Sequence, residues 1–188
     1  MTSSFRDAVL ASCKELIADR GFNLRVGDES YVALESRGAI ISFSYDRNRA
    51  FETNIGIATK SMEEAGIIPY NLGEVMREFN VPRSKERSYL QSSSLERVAE
   101  FVKDAREALI QYCKPIVDGD PVAFEKVRNR RAVESKQYTL EVMLAGIREE
   151  VEEAWRTKNY SKYRGLLAGF EPVLSESEKK KLAFAATK

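Results

Sequence analysis

The chain contains no histidine. That absence removes the side chain whose ordinary pKa lies nearest neutrality and which most often serves as general base. It excludes a Ser-His-Asp triad, a Cys-His pair, every histidine-containing zinc site and the Glu-x-x-His pattern of di-iron bundles. Cysteine is nearly as scarce. Cys13 and Cys113 are the only two, too few for a four-thiolate zinc site. Both fall on the apolar side of expected helices, where a thiol packs as a small hydrophobe, and nothing in the pattern calls for a disulfide between them. Long apolar runs are missing as well. No window approaches the roughly 20 residues of a membrane span, and the opening MTSSFRDAVLASCKEL places Asp7 and Glu15 inside its apolar pattern. It reads as an amphipathic helix rather than a secretory signal, so the expected setting is cytoplasmic, without membrane. The glycine-rich phosphate loops Gly-x-x-x-x-Gly-Lys and Gly-x-Gly-x-x-Gly are also lacking. No cofactor is expected. An enzyme built from this composition would have to use carboxylates, Lys, Tyr or a hard metal such as magnesium.

An excess of positive charge is missing too. The 30 Lys and Arg nearly balance the 29 Asp and Glu, and neither half of the chain departs far from that balance: residues 1–94 hold 12 against 13, and residues 95–188 hold 18 against 16. General nucleic-acid binders show a basic excess, because phosphate neutralisation supplies most of their affinity. Any such binding here would be confined to a local patch.

The chain does have material for a core. At 188 residues and 43% hydrophobic composition, one domain spanning 1–188 is expected, with the polar stretch near 82–94 as the only seam. Phe5, Val9, Leu10, Cys13, Leu16 and Ile17 recur at steps of three and four and predict a helix from Ser4 to Arg20, with Gly21 at its end. Ile41, Phe43 and Tyr45, then Phe51, Thr53, Ile55 and Ile57, alternate with polar or small residues, the signature of a half-buried antiparallel sheet. Tyr31, Val32 and Leu34 supply a third strand, and Phe22 to Val26 is able to add a fourth. Beyond residue 70 helical signals dominate. A capped helix runs from Asn71 to about Phe79, and Arg83 to Ser94 reads as loop. Ser93-Ser-Leu-Glu96 resembles a capping box opening a helix from Leu95 to Val117. Pro121 starts another helix, Ser135 to Thr157 forms a separate long one, and shorter helices follow at Lys162–Leu167 and Glu178–Ala186. The fold class is therefore α+β: an N-terminal helix, a three- to four-stranded antiparallel meander, then a helical C-terminal half.

Two arginine clusters are the candidate binding residues. In SYDRNRAFE, Arg47 and Arg49 flank Asn48 between two alternating strands, with Tyr45 just before. Asp and Asn suit tight turns, so this is a hairpin tip that presents guanidinium groups suited to carboxylate or phosphate. In KVRNRRAVE, Arg128, Arg130 and Arg131 fall near the expected end of the Pro121 helix, where cations complement the helix dipole. Glu149, Glu152 and Glu153 lie one turn apart, a spacing at which carboxylates bind magnesium, yet they fall off the buried stripe and read as a solvated face. No catalytic residue and no metal ligand is assigned. The tyrosines, mixed with arginine, are the residue types of protein interfaces.

Three pieces of the chain carry a resemblance: Gly21-Phe22 after the first helix, YDRNRAFE at Tyr45 to Glu52, and AWRTKNYSKYRGLLAGFEPVLSESEKKKLAFA at Ala154 to Ala185. The layout resembles uncharacterised small bacterial α+β proteins of the toxin-immunity kind. The resemblance implies a protein partner and no catalytic residue. The near-neutral charge departs from the acidic character expected when the target is a basic nuclease. The expectation is thus a non-catalytic protein-binding module, an immunity or accessory protein. The alternatives are a binder of nucleic acid or phosphate ligands through the arginine clusters, and a carboxylate-based metal-dependent enzyme.

Overall fold

Alternating side chains at 40–45 and 52–58 place every second residue on one face. In the computed structural model, which describes residues 4–82, 85 and 88–188, these segments are strands β3 (Ile40–Tyr45) and β4 (Glu52–Ala58). Strands β1 (Asn23–Gly27) and β2 (Tyr31–Glu35) precede them, and the four form an antiparallel meander in chain order. Phe43 lies opposite Val32 and Ile55, and Ile41 opposite Leu34 and Ile57. All six are buried to within 1% of full burial, so this register stacks one apolar block on the core side. The four-stranded form of the expectation is the one the chain adopts. Two very short strands, β5 (Tyr70–Asn71) and β6 (Tyr89–Gln91), then pair with β4 along different parts of its outer edge. Strands of two and three residues leave no periodicity to read. Strand β6 occupies part of the segment expected to be loop; Arg83, Ser84, Glu86 and Arg87 of that segment lie outside the described residues, as do residues 1–3.

The expected first helix is two helices, α1 (Phe5–Ser12) and α2 (Lys14–Asp19), interrupted at Cys13 with φ −100° and ψ 15°. Ser4 and Asp7 close a capping box at its start. Helices α3 (Lys60–Glu64) and α4 (Leu72–Glu78) follow the meander, the latter opened by a reciprocal Asn71–Glu74 box. Helix α5 (Leu95–Tyr112) is capped by Ser94, whose side chain accepts from the Arg97 amide, one residue beyond the expected Ser93–Glu96 box. It buries Val98, Phe101, Val102, Ala105, Ala108 and Leu109 and packs along α1. Burying one such large aliphatic or aromatic side chain contributes about 1.5–3 kcal/mol, and these side chains join the same core as the sheet residues. The helix breaks at Cys113 before α6 (Lys114–Val117).

The Arg106 side chain on α5, 10% exposed, reaches back to the first break, where its Nη1 donates to the Ser12 carbonyl at 2.8 Å. That carbonyl sits where the α1 hydrogen-bond ladder stops, so the guanidinium satisfies an acceptor the helix leaves over. A second close approach involves glycines. Gly38, in the β2–β3 turn, lies against Gly119, two residues after α6: a Cβ on Gly119 would fall 2.4 Å from the Gly38 Cα, and Gly119 has φ +77°.

Helix α7 (Pro121–Arg156) is one helix of 36 residues. The sequence pattern predicts two, one from Pro121 and one from Ser135, because the apolar spacing lapses between them. Helices α8 (Tyr160–Leu167) and α9 (Glu176–Ala185) follow, with a 3-10 turn at Glu171–Val173 between them. The chain divides into two compact units, Met1–Asn129 and Arg130–Lys188. The division falls inside α7 rather than near 82–94. The first unit owns the sheet core together with Ala123, Phe124 and Val127 from the start of α7. The second has its own cluster of Leu144, Val151, Ala154, Tyr163, Leu167, Leu174 and Ala185. Among the described residues no helix is long and apolar enough to cross a membrane.

Candidate functional site

The first arginine cluster is a turn built on Asp46. Its carboxylate accepts from the backbone amides of Asn48, Arg49 and Ala50 at 3.2, 3.1 and 3.4 Å, and its own amide donates to the Glu52 carbonyl at 2.9 Å. The turn closes through Phe51 at φ 52°, in the left-handed region that favours glycine, and the Phe51 carbonyl accepts from the Ser92 amide at 2.9 Å. Arg47 and Arg49 are exposed, as a hairpin tip requires. Arg47 lies 3.6 Å from Glu29. Exposed pairs of this kind contribute about 0–1 kcal/mol, but the acid still neutralises part of the charge a phosphate would need. Tyr45 stands apart from its neighbours. It is 5% exposed, stacks on Phe5 with ring centres 5.4 Å apart, and donates through its hydroxyl to the Ser92 carbonyl at 3.2 Å. It belongs to the core and offers no surface to a ligand.

The second cluster is not at a helix end. Because α7 continues to Arg156, Arg128, Arg130 and Arg131 sit in the interior of the helix, where the C-terminal dipole does not reach. What supports them is side-chain pairing along the helix: Arg128 with Glu125 at 3.1 Å and Arg130 with Glu134 at 2.9 Å. The Asp46–Ala50 turn and the start of α7 are attached to opposite ends of β3. Gly119 meets the turn beside Ile40, whereas Arg47 follows Tyr45. Six strand residues separate those ends by roughly 17 Å. The hairpin tip and the origin of the helix bearing Arg128 are therefore not neighbours.

The acidic run behaves as a solvated face. Glu149, Glu150, Glu152 and Glu153 are all exposed. Glu150 pairs with Lys162 at 2.7 Å, and Glu153 accepts from the Arg156 Nε at 3.0 Å. Among the described residues no group of three or more acids or cysteines is placed to hold a metal ion. The cysteines are free and buried, and burial pushes both thiols up to about 12. A thiol so protonated is a poor nucleophile.

The most exposed apolar surface of the helical unit lies on α7 itself. Between Arg130 and Met143 no residue is fully buried, and Val133, Tyr138, Val142 and Met143 are 65%, 69%, 53% and 56% exposed. Tyr138 and Val142 are one turn apart, on the side away from the Leu140–Leu144–Ile147 stripe that turns toward the unit's own cluster. The stretch is held helical by local pairs, with Gln137 donating to Glu141 at 2.9 Å and the Thr139 hydroxyl to the Ser135 carbonyl at 2.9 Å. Val142 does not stand out in the sequence, because the helical signal there is a single apolar stripe on the other side. The available signal was the pair Tyr138 and Val142, four residues apart and off that stripe; Met143, three residues from Leu140 and four from Ile147, lies along it. No family model, curated protein or solved structure matches the chain.

Proposed function

We propose that this chain is a non-catalytic protein-binding module of the immunity or accessory kind, and that α7 between Arg130 and Met143 is its contact surface. The observation that supports the reading is the exposure of Tyr138 and Val142, one turn apart on the same side of an unbroken helix. Exposed apolar side chains paired in this way mark interaction sites, and Tyr is enriched in them. A helix presenting apolar side chains at i and i+4 enters a partner's hydrophobic groove. The resemblance in layout supports a bacterial, cytoplasmic setting and a protein partner. Charge pairing at Arg47, Arg128 and Arg130 speaks against the nucleic-acid alternative.

The test is a double substitution, Tyr138→Lys with Val142→Lys. Both positions are solvated, so far-UV circular dichroism and the urea midpoint stay within about 0.5 kcal/mol of wild type. Capture of the wild-type partner from native extract falls at least tenfold. Undiminished capture by the variant, or no stable partner of the wild type at all, removes the proposal. Fluorescence anisotropy with labelled oligonucleotides at low salt separates the alternative: saturable, salt-dependent binding lost in Arg47→Glu would establish it instead.

A further inference from the structure

A pocket of about 220 Å³ opens within the C-terminal unit between α7 and α9. Helix α7 contributes Arg148 and Trp155, α9 contributes Glu178 and Lys181, and Tyr163 enters from α8. Glu152 of α7 also lines the pocket and is exposed, while Arg148, Ser175 and Glu178 are engaged with one another. Arg148 donates to Glu178 at 2.7 Å, and the other Glu178 oxygen accepts from the Ser175 amide and hydroxyl at 2.8 and 2.6 Å. These donors, the Ser175 hydroxyl first, hold Glu178 below the usual carboxylate range. Its charge is thus compensated within the protein.

Two donors are not compensated. Tyr163 is 2% exposed, and its hydroxyl has no hydrogen-bond partner, alone among the buried side-chain groups of this unit within the described residues. Burial first, and the nearby Glu178 charge second, keep its proton in place, so at neutral pH the phenol is a donor in search of an acceptor. Among the described residues the Lys181 ammonium forms no ion pair, and it rests 5.3 Å over the Trp155 ring. A neutral donor and an unpaired cation beside an indole define the complementary shape: an anionic acceptor on an apolar body.

We infer that this pocket binds a small organic carboxylate, its anionic end between the Lys181 ammonium and the Tyr163 hydroxyl and its apolar body on the Trp155 ring. The Tyr163 oxygen has no solvent contact of its own, so a ligand reaches it as a side chain of the lining turns aside. Lys181 is suited to that movement. It gives up only its contact with the indole, which the ligand's body replaces, and it regains an ion pair with the carboxylate.

Trp155 is the only tryptophan in the chain, so its fluorescence reads the pocket directly. The full-length protein is titrated with phenylacetate, with acetate, which lacks the body, and with phenethylamine, which lacks the carboxylate. Phenylacetate gives a saturable change, acetate binds at least tenfold more weakly, and phenethylamine gives none. Tyr163→Phe and Lys181→Ala each weaken phenylacetate about tenfold or more, as expected for a hydrogen bond to a charged group. Tyr163→Phe keeps the wild-type circular dichroism and a urea midpoint at or above wild type, because the hydroxyl it removes is unpaired. The inference is overturned by any of three results: no saturable response to phenylacetate up to about 10 mM, equal binding of phenethylamine, or unchanged phenylacetate affinity in Tyr163→Phe. The last would leave the hydroxyl as an unsatisfied structural group and nothing more.

Discussion

Single side chains in this molecule are placed by what they must satisfy. Arg106 is nine-tenths buried because the Ser12 carbonyl, stranded at the α1–α2 break, accepts from its guanidinium. Replacing it with alanine removes a charge-assisted hydrogen bond and the packing of its stem, and stability falls by about 2–4 kcal/mol in urea unfolding; a loss under 0.5 kcal/mol would show that the break stands without it. The two thiols make a second prediction. Cys13 and Cys113 are pushed by burial from an ordinary 9.0 to about 12. Between those values the unfolded chain has lost protons that the folded chain retains. The thiols' contribution is whole below pH 9 and drains away as pH climbs, by at most about 1.4 kcal/mol per pH unit for each thiol. Urea midpoints from pH 8 to 10 should therefore fall less steeply in Cys13→Ala and Cys113→Ala than in wild type. Parallel slopes in all three would contradict the assignment. None of this was legible beforehand. The sequence marks both cysteines as apolar-face residues, but a helix that stops at a cysteine, and an arginine from 94 positions away that repairs the stop, are products of tertiary packing.

Whole elements were legible where they carry their own period. The meander shows in the alternation from Ile41 to Ile57, and α5 in the steps from Val98 to Leu109, because burial on one face forces the pattern. Elements too short to hold a period, β5 and β6, were invisible. The error at α7 has the opposite cause. Between Val127 and Leu140 no side chain of the helix is buried, so the apolar signal that elsewhere announces a helix is absent while the helix persists with local pairs such as Arg130–Glu134. The second arginine cluster was consequently given a helix end it does not have, and the exposed Tyr138 and Val142 were not singled out. At this scale Gly119→Ala is the decisive substitution. The left-handed backbone and the 2.4 Å approach to the Gly38 Cα leave no room for a methyl group, and backbone cannot turn aside as a side chain can. We expect a loss of at least about 2–4 kcal/mol, read as a lowered urea midpoint; wild-type stability would mean the two turns separate freely.

For the molecule as a whole, two cores that share no residue imply two unfolding events, and the chain has a separate reporter for each. Trp155 lies in the second unit and both thiols in the first. With seven buried residues in its cluster, the C-terminal unit belongs to the size range in which a core is marginal. Its tryptophan transition should come at lower urea than the exposure of the thiols to a chromogenic disulfide reagent, and coincident transitions would show a single cooperative unit instead. The Gly38–Gly119 contact has a consequence of a different order, because it constrains how this sequence is free to drift. Each glycine occupies the space a Cβ on the other would take. Neither position can accept a larger residue first and wait for the other to compensate, since no residue is smaller than glycine. Change at either site must pass through a reshaped turn, by insertion or deletion, and not through point substitution. Among relatives of this chain, positions 38 and 119 should stay glycine together or be lost together with the lengths of their turns.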